Sequence, residues 1–367
     1  MQYRRFGNLN ILISALGFGC MRLPEIQKDG KWSVDLAKTK QMISKAVDLG
    51  INYFDAAYGY CHENCEAALG EALKPYRKQI YLSTKLPLWH VNGPEDFDRI
   101  LHEQLKRLQT DYIDFYHFHA VNQSHWRDKI LRFHLMDKMI KRKQEGTIRH
   151  ISFSYHDNLE TMKEMIDTGI FSTVLCQYNL LDRSYEEGID YAASKGMGVV
   201  IMGPVGGGRL ERPTPKLEKF LLSDGGSLPD TALKFVWSNP NVSVALSGMG
   251  SLEMLEQNVE SINSFQPFPP EKQETLLKIS DEFKKMADLY CTGCEYCMPC
   301  PKGIEIPSIF NALIYHKVYG LTELAKQRFE PLAEKAGQCV ACRQCEKKCP
   351  QKIQIVERIR ETIGELS

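Results

Sequence analysis

The sequence predicts an α/β protein: a (β/α)8 TIM barrel followed by a small, mainly helical domain. Three observations predict it. Eight short β-branched or apolar runs alternate with amphipathic stretches over about the first 265 residues, the usual size of an eightfold barrel. Strands separated by helices of this length imply a parallel sheet. Composition then shifts at Pro267-Phe268-Pro269-Pro270, beyond which eight of the 12 cysteines fall between Cys291 and Cys349.

The strand candidates, in order, are Leu16–Met21, Asn52–Ala56, Ile80–Lys85, Ile113–His119, His150–Ser154, Val174–Tyr178, Gly198–Met202 and Val242–Ser247. The helical patterns between and after them are Asp35–Leu49, Glu63–Leu73, Pro94–Leu108, Arg127–Glu145, Leu159–Thr168, Tyr185–Lys195, Pro229–Asn239 and Leu252–Ser261. Gly50, Gly146, Gly169 and Gly196 stand where helix C-caps belong. The structural runner-up is a doubly wound sheet. Its dinucleotide turn would need a third glycine and a following helix, and Gly17-Phe18-Gly19-Cys20-Met21-Arg22 has neither. The expected domains are the barrel at 1–270, a linking helix at 271–289 and the cysteine-rich domain at 290–367.

The chain of 367 residues carries 46 Lys+Arg against 46 Asp+Glu, with 43% hydrophobic and 25% charged residues. This is an ordinary soluble composition. Its balance gives no overall electrostatic reason to expect nucleic acid or an anionic membrane as partner. No apolar run approaches the length of a membrane-spanning helix. The start, Met1-Gln2-Tyr3-Arg4-Arg5, lacks an apolar signal core, so a cytoplasmic location is expected. Thiols clustered in a reducing compartment point to metal rather than disulfides.

In a barrel the chemistry sits at the C-terminal ends of the strands. The polar residues there are Asp55, followed by Tyr58 and Tyr60; Ser83-Thr84-Lys85; His117-Phe118-His119; and Ser154. A carboxylate, a phenol, an amine and an imidazole meeting at one mouth form an acid/base constellation. Taken singly, each is as readily a loop cap, a solvated strand end or a structural histidine.

These residues lie in segments that resemble the aldo/keto reductase family. The segments are Ile51-Asn52-Tyr53-Phe54-Asp55-Ala56-Ala57-Tyr58-Gly59-Tyr60 running on to Ala68-Leu69-Gly70-Glu71-Ala72-Leu73, then Leu82-Ser83-Thr84-Lys85-Leu86-Pro87, Asp111–His119, Gly146–Ser154 and Gln177-Tyr178-Asn179. The resemblance covers roughly residues 1–265, with order and spacing kept. It implies a (β/α)8 fold and carbonyl reduction with NADP or NAD. The catalytic residues it implies are Asp55, Tyr60, Lys85 and His119. The family's spacing selects Tyr60 over Tyr58 and His119 over His117.

The chemistry of these residue types fits that implication. Hydride added to a carbonyl carbon leaves negative charge on oxygen, which needs a proton and a hydrogen-bond donor. A free phenol, with pKa about 10, is a poor acid near neutrality. A nearby ammonium favours the phenolate, the role expected of Lys85. Asp55 would hold Lys85 charged, and His119 would donate to or orient the substrate oxygen.

The same resemblance implies cofactor contacts at Ser154, Gln177, Gly203, Pro204, Gly206, Gly207, Gly208, Ser247, Gly248 and Asn258. Glycines in Gly203-Pro204-Val205-Gly206-Gly207-Gly208 let backbone approach a pyrophosphate. The sequence departs from the family at two places. Leu175 stands where the carboxamide glutamine falls, and Met254 where an arginine for the 2′-phosphate falls. NAD and NADP both stay open.

The tail reads Cys291-x2-Cys294-x2-Cys297-x2-Cys300-Pro301 and, after 38 residues, Cys339-x2-Cys342-x2-Cys345-x3-Cys349-Pro350. The second run is the bacterial ferredoxin spacing, in which the fourth thiolate reaches the other cluster. Two [4Fe–4S] clusters are therefore expected, one on Cys291, Cys294, Cys297 and Cys349, the other on Cys339, Cys342, Cys345 and Cys300. The first run departs from that spacing by one residue before Cys300. An amphipathic helix over about Glu271–Leu289 and helical character over Ile306–Leu332 complete the likeness to a ferredoxin-type domain. Structural zinc is the rival, although it more often uses separated Cys-x2-Cys pairs. Of the other thiols, Cys61 and Cys65 lie near Tyr60.

The leading functional reading is a nicotinamide-dependent carbonyl oxidoreductase joined to an iron–sulfur electron-transfer module, whose tail either docks a redox partner or is structural. The alternative is an electron-transfer protein whose barrel binds nucleotide or a partner without turnover. No flavin motif is visible. Trp89, His90, His125 and Trp126 are the loop residues available to line a substrate mouth.

Overall fold

The computed structural model describes residues 1–28, 30–211, 227–284, 291, 296–317 and 322–366. An N-terminal hairpin pairs β1 (Tyr3–Arg5) with β2 (Leu12–Ser14). The chain enters β3 (Leu16–Gly19), and a second hairpin joins β4 (Glu25–Lys28) to β5 (Lys31–Val34). Then come β6 (Tyr53–Asp55), β7 (Tyr81–Leu86), β8 (Ile113–Val121), β9 (Ile148–Tyr155), β10 (Thr173–Gln177), β11 (Gly198–Met202) and β12 (Val244–Ser247). β3 and β6 to β12 close into a barrel of eight strands, every neighbouring pair parallel. Closure excludes the doubly wound sheet. The two hairpins were not anticipated.

The helices follow from capping and apolar spacing. Asp35, Asn158 and Ser251 each accept a backbone N–H of the first turn at the starts of Leu36–Asp48, Leu159–Asp167 and Leu252–Asn263. Gly50 (φ +90°) and Gly146 (φ +82°) adopt the left-handed conformation that ends a helix. The expected helix Arg127–Glu145 is interrupted. Trp126–Leu131 coils in a wider π-helical turn, His134 is left-handed, and a new helix runs over Leu135–Gln144. The wider turn lets buried Trp126 donate Nε1–H to Glu164 (2.9 Å). It also lets Lys129 Nζ reach the carbonyls of Leu88 and Val91 (2.6 and 2.9 Å).

The barrel interior is layered. Phe6, fully buried, plugs its N-terminal end against Tyr53 (ring centroids 5.8 Å) and Phe115 (5.0 Å). Side chains two residues apart on a strand share a face. The same interior rows therefore climb from Tyr53 to Asp55, from Ser83 to Lys85, and from Phe115 through His117 to His119. An aromatic floor thus gives way to a polar mouth.

Compactness divides the chain into two units. The first comprises residues 1–179, 183–204 and 233–268, and the second residues 180–182, 205–232 and 269–367. The second holds helices Pro270–Lys284, Ile306–Lys317, Thr322–Gly337, Gln344–Lys348 and Ile355–Leu366. Ile309, Phe310, Phe329, Ile355 and Ile359 are buried in its core. The expected helices at 271–289 and 306–332 correspond to the first three, with 285–289 and 318–321 outside the described residues. The last two helices were not anticipated.

Candidate functional site

Register builds the first part of the site. Pairing of β6 with β7 sets Asp55 beside Ser83, and pairing of β7 with β8 sets Lys85 beside His117. The Asp55 carboxylate accepts from Ser83 Oγ (2.5 Å) and from Lys85 Nζ (2.6 Å). Lys85 Nζ also donates to the carbonyl of Ala56 (2.6 Å). Both charged groups are buried, Lys85 at 1% exposure and Asp55 at 3%. An ammonium has three donors. With two directed at Asp55 and Ala56, Lys85 Nζ lies 4.9 Å from the ring centre of Tyr60. The Tyr60 ring meets His119 edge-on at 6.1 Å. The three segments that carry these four residues therefore converge.

Tyr58 and His117 lie elsewhere. The Tyr58 hydroxyl donates to Glu103 (3.3 Å), and the Arg107 guanidinium lies 4.2 Å from its ring. His117 sits one layer deeper than His119. Burial pushes both imidazoles well below the ordinary histidine value, and Lys85 adds to this. His156, His117 and His125 push His119 further. His119 is therefore neutral near pH 7, an N–H donor rather than a cation.

Four supporting arrangements escaped the sequence reading. Ser154 Oγ accepts the N–H of Ala120 (2.7 Å), a left-handed residue at the bulge just after His119. His125 Nδ1 lies 2.9 Å from the Ala120 carbonyl, so this peptide is held from both sides. Trp89 packs its ring 4.8 Å from His119. Behind β7, fully buried Glu66 accepts from Thr84 Oγ1 and Gln104 Nε2, both at 2.6 Å, and Gln104 also donates to the Lys85 carbonyl (3.0 Å). Burial raises the Glu66 carboxyl, against these hydrogen bonds and Arg107. Glu66 is readable as polar on a helix face, but nothing in the sequence says that it faces inward.

The expected cofactor residues fall into three groups. Gln177 ends β10, and a Cβ on left-handed Gly203 would stand 3.7 Å from Gln177 Oε1. Asn179 Nδ2 donates to the Gly203 carbonyl (2.8 Å), with Pro204 next in the chain. Leu175 is core, packed with Val200 and Val244. Ser247 Oγ accepts from Asn258 Nδ2 (3.0 Å), and a Cβ on Gly248 would touch the Arg22 side chain at 3.4 Å. Met254 lies in the first turn of the helix capped by Ser251. Gly206, Gly207 and Gly208 belong to the second unit, where φ values of +63°, +68° and +93° make a left-handed turn.

In the second unit Cys291, Cys297 and Cys349 line one cavity, with Ile306, Phe310, Ile353 and Ile355 as its apolar walls. Cys300, Cys339 and Cys345 pack against the same core, and Cys342 is exposed. Cys294 lies outside the described residues. Thiols around an apolar cavity suit an iron–sulfur cluster, which thiolates hold and whose potential depends on solvent exposure.

Comparison with known proteins agrees with this geometry. The model of the aldo/keto reductase family matches residues 15–281, and that of a 4Fe-4S dicluster domain matches residues 290–354. L-galactose dehydrogenase of Arabidopsis thaliana is 27% identical over 304 residues, covering 76% of this chain and 93% of that protein. The uncharacterized oxidoreductase YqkF of Bacillus subtilis is 25% identical over 296 residues, covering 72% and 92%. Among solved structures, the holo form of aldo-keto reductase AKR11C1 from Bacillus halodurans superposes with a TM-score of 0.66 at 27% identity, covering 76% of this chain and 96% of that one. Closed barrel, matched segments and cysteine-bearing tail together make this chain a member of the aldo/keto reductase family, an oxidoreductase, with a C-terminal 4Fe-4S dicluster domain.

Proposed function

We propose that this protein reduces an aldehyde or ketone, or oxidises the corresponding alcohol, with NADH or NADPH, and that its second unit passes single electrons to a redox partner. One observation carries the first part: a buried lysine, neutralised by Asp55, lies against the ring of Tyr60, which abuts a neutral histidine. A dinucleotide, when bound, would supply hydride to the carbonyl carbon. Tyr60 gives its proton to the carbonyl oxygen as charge builds there. Lys85 stabilises the negative charge left on the phenol oxygen. Asp55 and the Ala56 carbonyl fix Lys85 in place, so little reorganisation is needed during reaction. His119 donates an N–H to the same oxygen and stays uncharged. In the reverse direction the phenolate accepts an alcohol's proton.

Ser154, Gln177 and Gly203 are the residues proposed to hold the nicotinamide end. Gly206 to Gly208 are proposed for the pyrophosphate, and Ser247, Gly248 and Asn258 for the adenosine. Met254 in place of an arginine favours no preference for NADPH. The test is nicotinamide oxidation with a panel of aldehydes, with Tyr60→Phe as control. Turnover by the wild type that the variant loses supports the reading; equal inertness of both sinks it.

For the tail we propose two [4Fe–4S] clusters, ligated by Cys291, Cys294, Cys297 and Cys349 and by Cys339, Cys342, Cys345 and Cys300. The shared cavity of Cys291, Cys297 and Cys349 supports the crossed assignment, since Cys349 belongs to the other sequence run. A nicotinamide delivers two electrons together, while a cluster takes one. The tail therefore serves a one-electron partner. Exposed Val340 and Cys342, with exposed Lys347 and Lys348 a few residues on in the chain, suit a small acidic carrier protein.

A further inference from the structure

The residues just after Tyr60 form an unusual turn. Cys61, His62 and Glu63 are all left-handed, with φ of +52°, +53° and +65°. Residues with a Cβ avoid this region, and consecutive ones are rarer still. Such a turn persists only where its surroundings over-determine it. Here Asn64 N–H donates to the Cys61 carbonyl (2.9 Å), and Cys65 N–H donates to the Tyr60 carbonyl (3.3 Å). The Asn64 side chain donates to the Cys61 and His62 carbonyls (3.1 and 3.0 Å). The His62 ring stacks on Trp32, nearly parallel at 5.5 Å, and Nδ1 meets Glu25 at 2.8 Å.

The turn folds one cysteine back onto another. Cys61 Sγ and Cys65 Sγ approach the same acceptor, the carbonyl oxygen of Cys20, at 3.6 and 3.4 Å. Each thiol also acts on the other, which lowers the Cys61 thiol and raises Cys65. Burial pushes Cys65 up further, at zero exposure against 7% for Cys61. The outer sulfur is thus the readier thiolate, and the inner one is a protonated neighbour within reach. That asymmetry is the arrangement of an attacking and a resolving thiol. Cys20 differs: its Sγ contacts the carbonyl of Phe18 in its own strand (3.5 Å).

We propose that Cys61 and Cys65 are a redox-active dithiol, closed to a disulfide by a low-molecular-weight disulfide, and that closure stops carbonyl reduction by displacing Tyr60. The Cys61 thiolate attacks one sulfur of the small disulfide, whose S–S bond breaks to release a thiolate. Cys65 then attacks Cys61 in the mixed disulfide, forming the internal S–S bond and expelling the second thiolate. The two protons of Cys61 and Cys65 end on the two small thiols, so two protein thiols are oxidised and one disulfide is reduced. A covalent S–S bond of about 2.05 Å is far shorter than a thiol hydrogen bond. The Cys61–Cys65 turn must tighten, and Tyr60 is tied to it by the peptide bond to Cys61 and by the Cys65 N–H. The effect on rate rests on the proposed role of Tyr60; bridge formation does not.

The test is anaerobic incubation of the holoprotein with glutathione disulfide, with cluster absorbance followed as a control. Peptide mass mapping locates any bridge, and aldehyde-dependent NADH oxidation is read before and after dithiothreitol. The expected result is a Cys61–Cys65 bridge and a rate loss on the order of 10²-fold, reversed by dithiothreitol. Cys61→Ser and Cys65→Ser should lose the bridge, and Cys20→Ser should keep it. Free Cys61 and Cys65 thiols after oxidation overturn the proposal, as does a bridge that leaves the rate unchanged. A reduced enzyme inert to every aldehyde would count against the proposed function alone, with mass mapping still deciding the dithiol.

Discussion

Replacing Lys85 by Met separates the structural from the chemical part of the Asp55–Lys85 pair. The substitution leaves the Asp55 carboxylate buried, with the Ser83 hydroxyl still donating to it. Removing one member of a buried ion pair costs about 3–5 kcal/mol. Asp55→Asn keeps an acceptor for Lys85 but leaves the buried ammonium without its counter-charge, and should likewise cost about 3–5 kcal/mol. The double variant removes both charges. Its cost should fall well below the sum of the singles, because matched neutral groups escape the penalty of a lone buried charge. All four tryptophans (Trp32, Trp89, Trp126 and Trp237) lie in the first unit, so urea unfolding followed by tryptophan fluorescence reports on the barrel. Single-turnover NADH oxidation on the same samples reports on chemistry. Stability should recover in the double variant, while the rate stays depressed by about 10²–10⁴-fold in every variant lacking Lys85. Additive destabilisation would refute the coupling, and wild-type rates in the double variant would refute the role of Lys85.

Three further outcomes follow from other parts of the molecule. His119 and His117 are held well below the ordinary histidine value, and His150 and His156 are lowered to about 4. The unfolded chain therefore binds more protons below about pH 6.5, and the barrel should lose stability from there towards pH 4. Glu66 and Asp114, which are raised, act in the opposite sense. A urea midpoint that is flat or rising on acidification contradicts this. Anaerobically purified protein should be brown, with about eight irons per chain for two cubes. Cys349→Ser should remove the cluster shared with Cys291 and Cys297 and leave the other, by electron paramagnetic resonance. Stoichiometric zinc without iron contradicts the assignment. With Met254 in place of an arginine, titration should show NADPH binding no tighter than NADH; a strong preference for NADPH would locate a phosphate contact elsewhere.

The barrel was legible because its signals are local. Strand-length apolar runs, helical spacing and glycine C-caps each report on a few neighbouring residues, and all eight expected strands are present. The convergence of Asp55, Tyr60, Lys85 and His119 was legible only through matched segments, since no local pattern says that three strands and a loop share a mouth. The hairpin of β4 and β5 carried a signal that was passed over, Asp29-Gly30 between two short runs. The break at His134 had none, because it arises from the contacts of Trp126 and Lys129 with distant residues. The same holds for Ser154, whose bond to Ala120 depends on a bulge in another strand, and for Glu66, whose partners lie 18 and 38 residues away. In the tail the cysteine spacing carried nearly everything, the grouping of Cys349 with the earlier run included, and Cys291, Cys297 and Cys349 line one cavity.

The most direct measurement is single-turnover oxidation of bound NADH by an aldehyde substrate, comparing wild type with Tyr60→Phe at matched cofactor occupancy. A loss of about 10²–10⁴-fold at unchanged NADH affinity is the result predicted for a proton donor beside Lys85 and His119. Equal rates in the two proteins would contradict it.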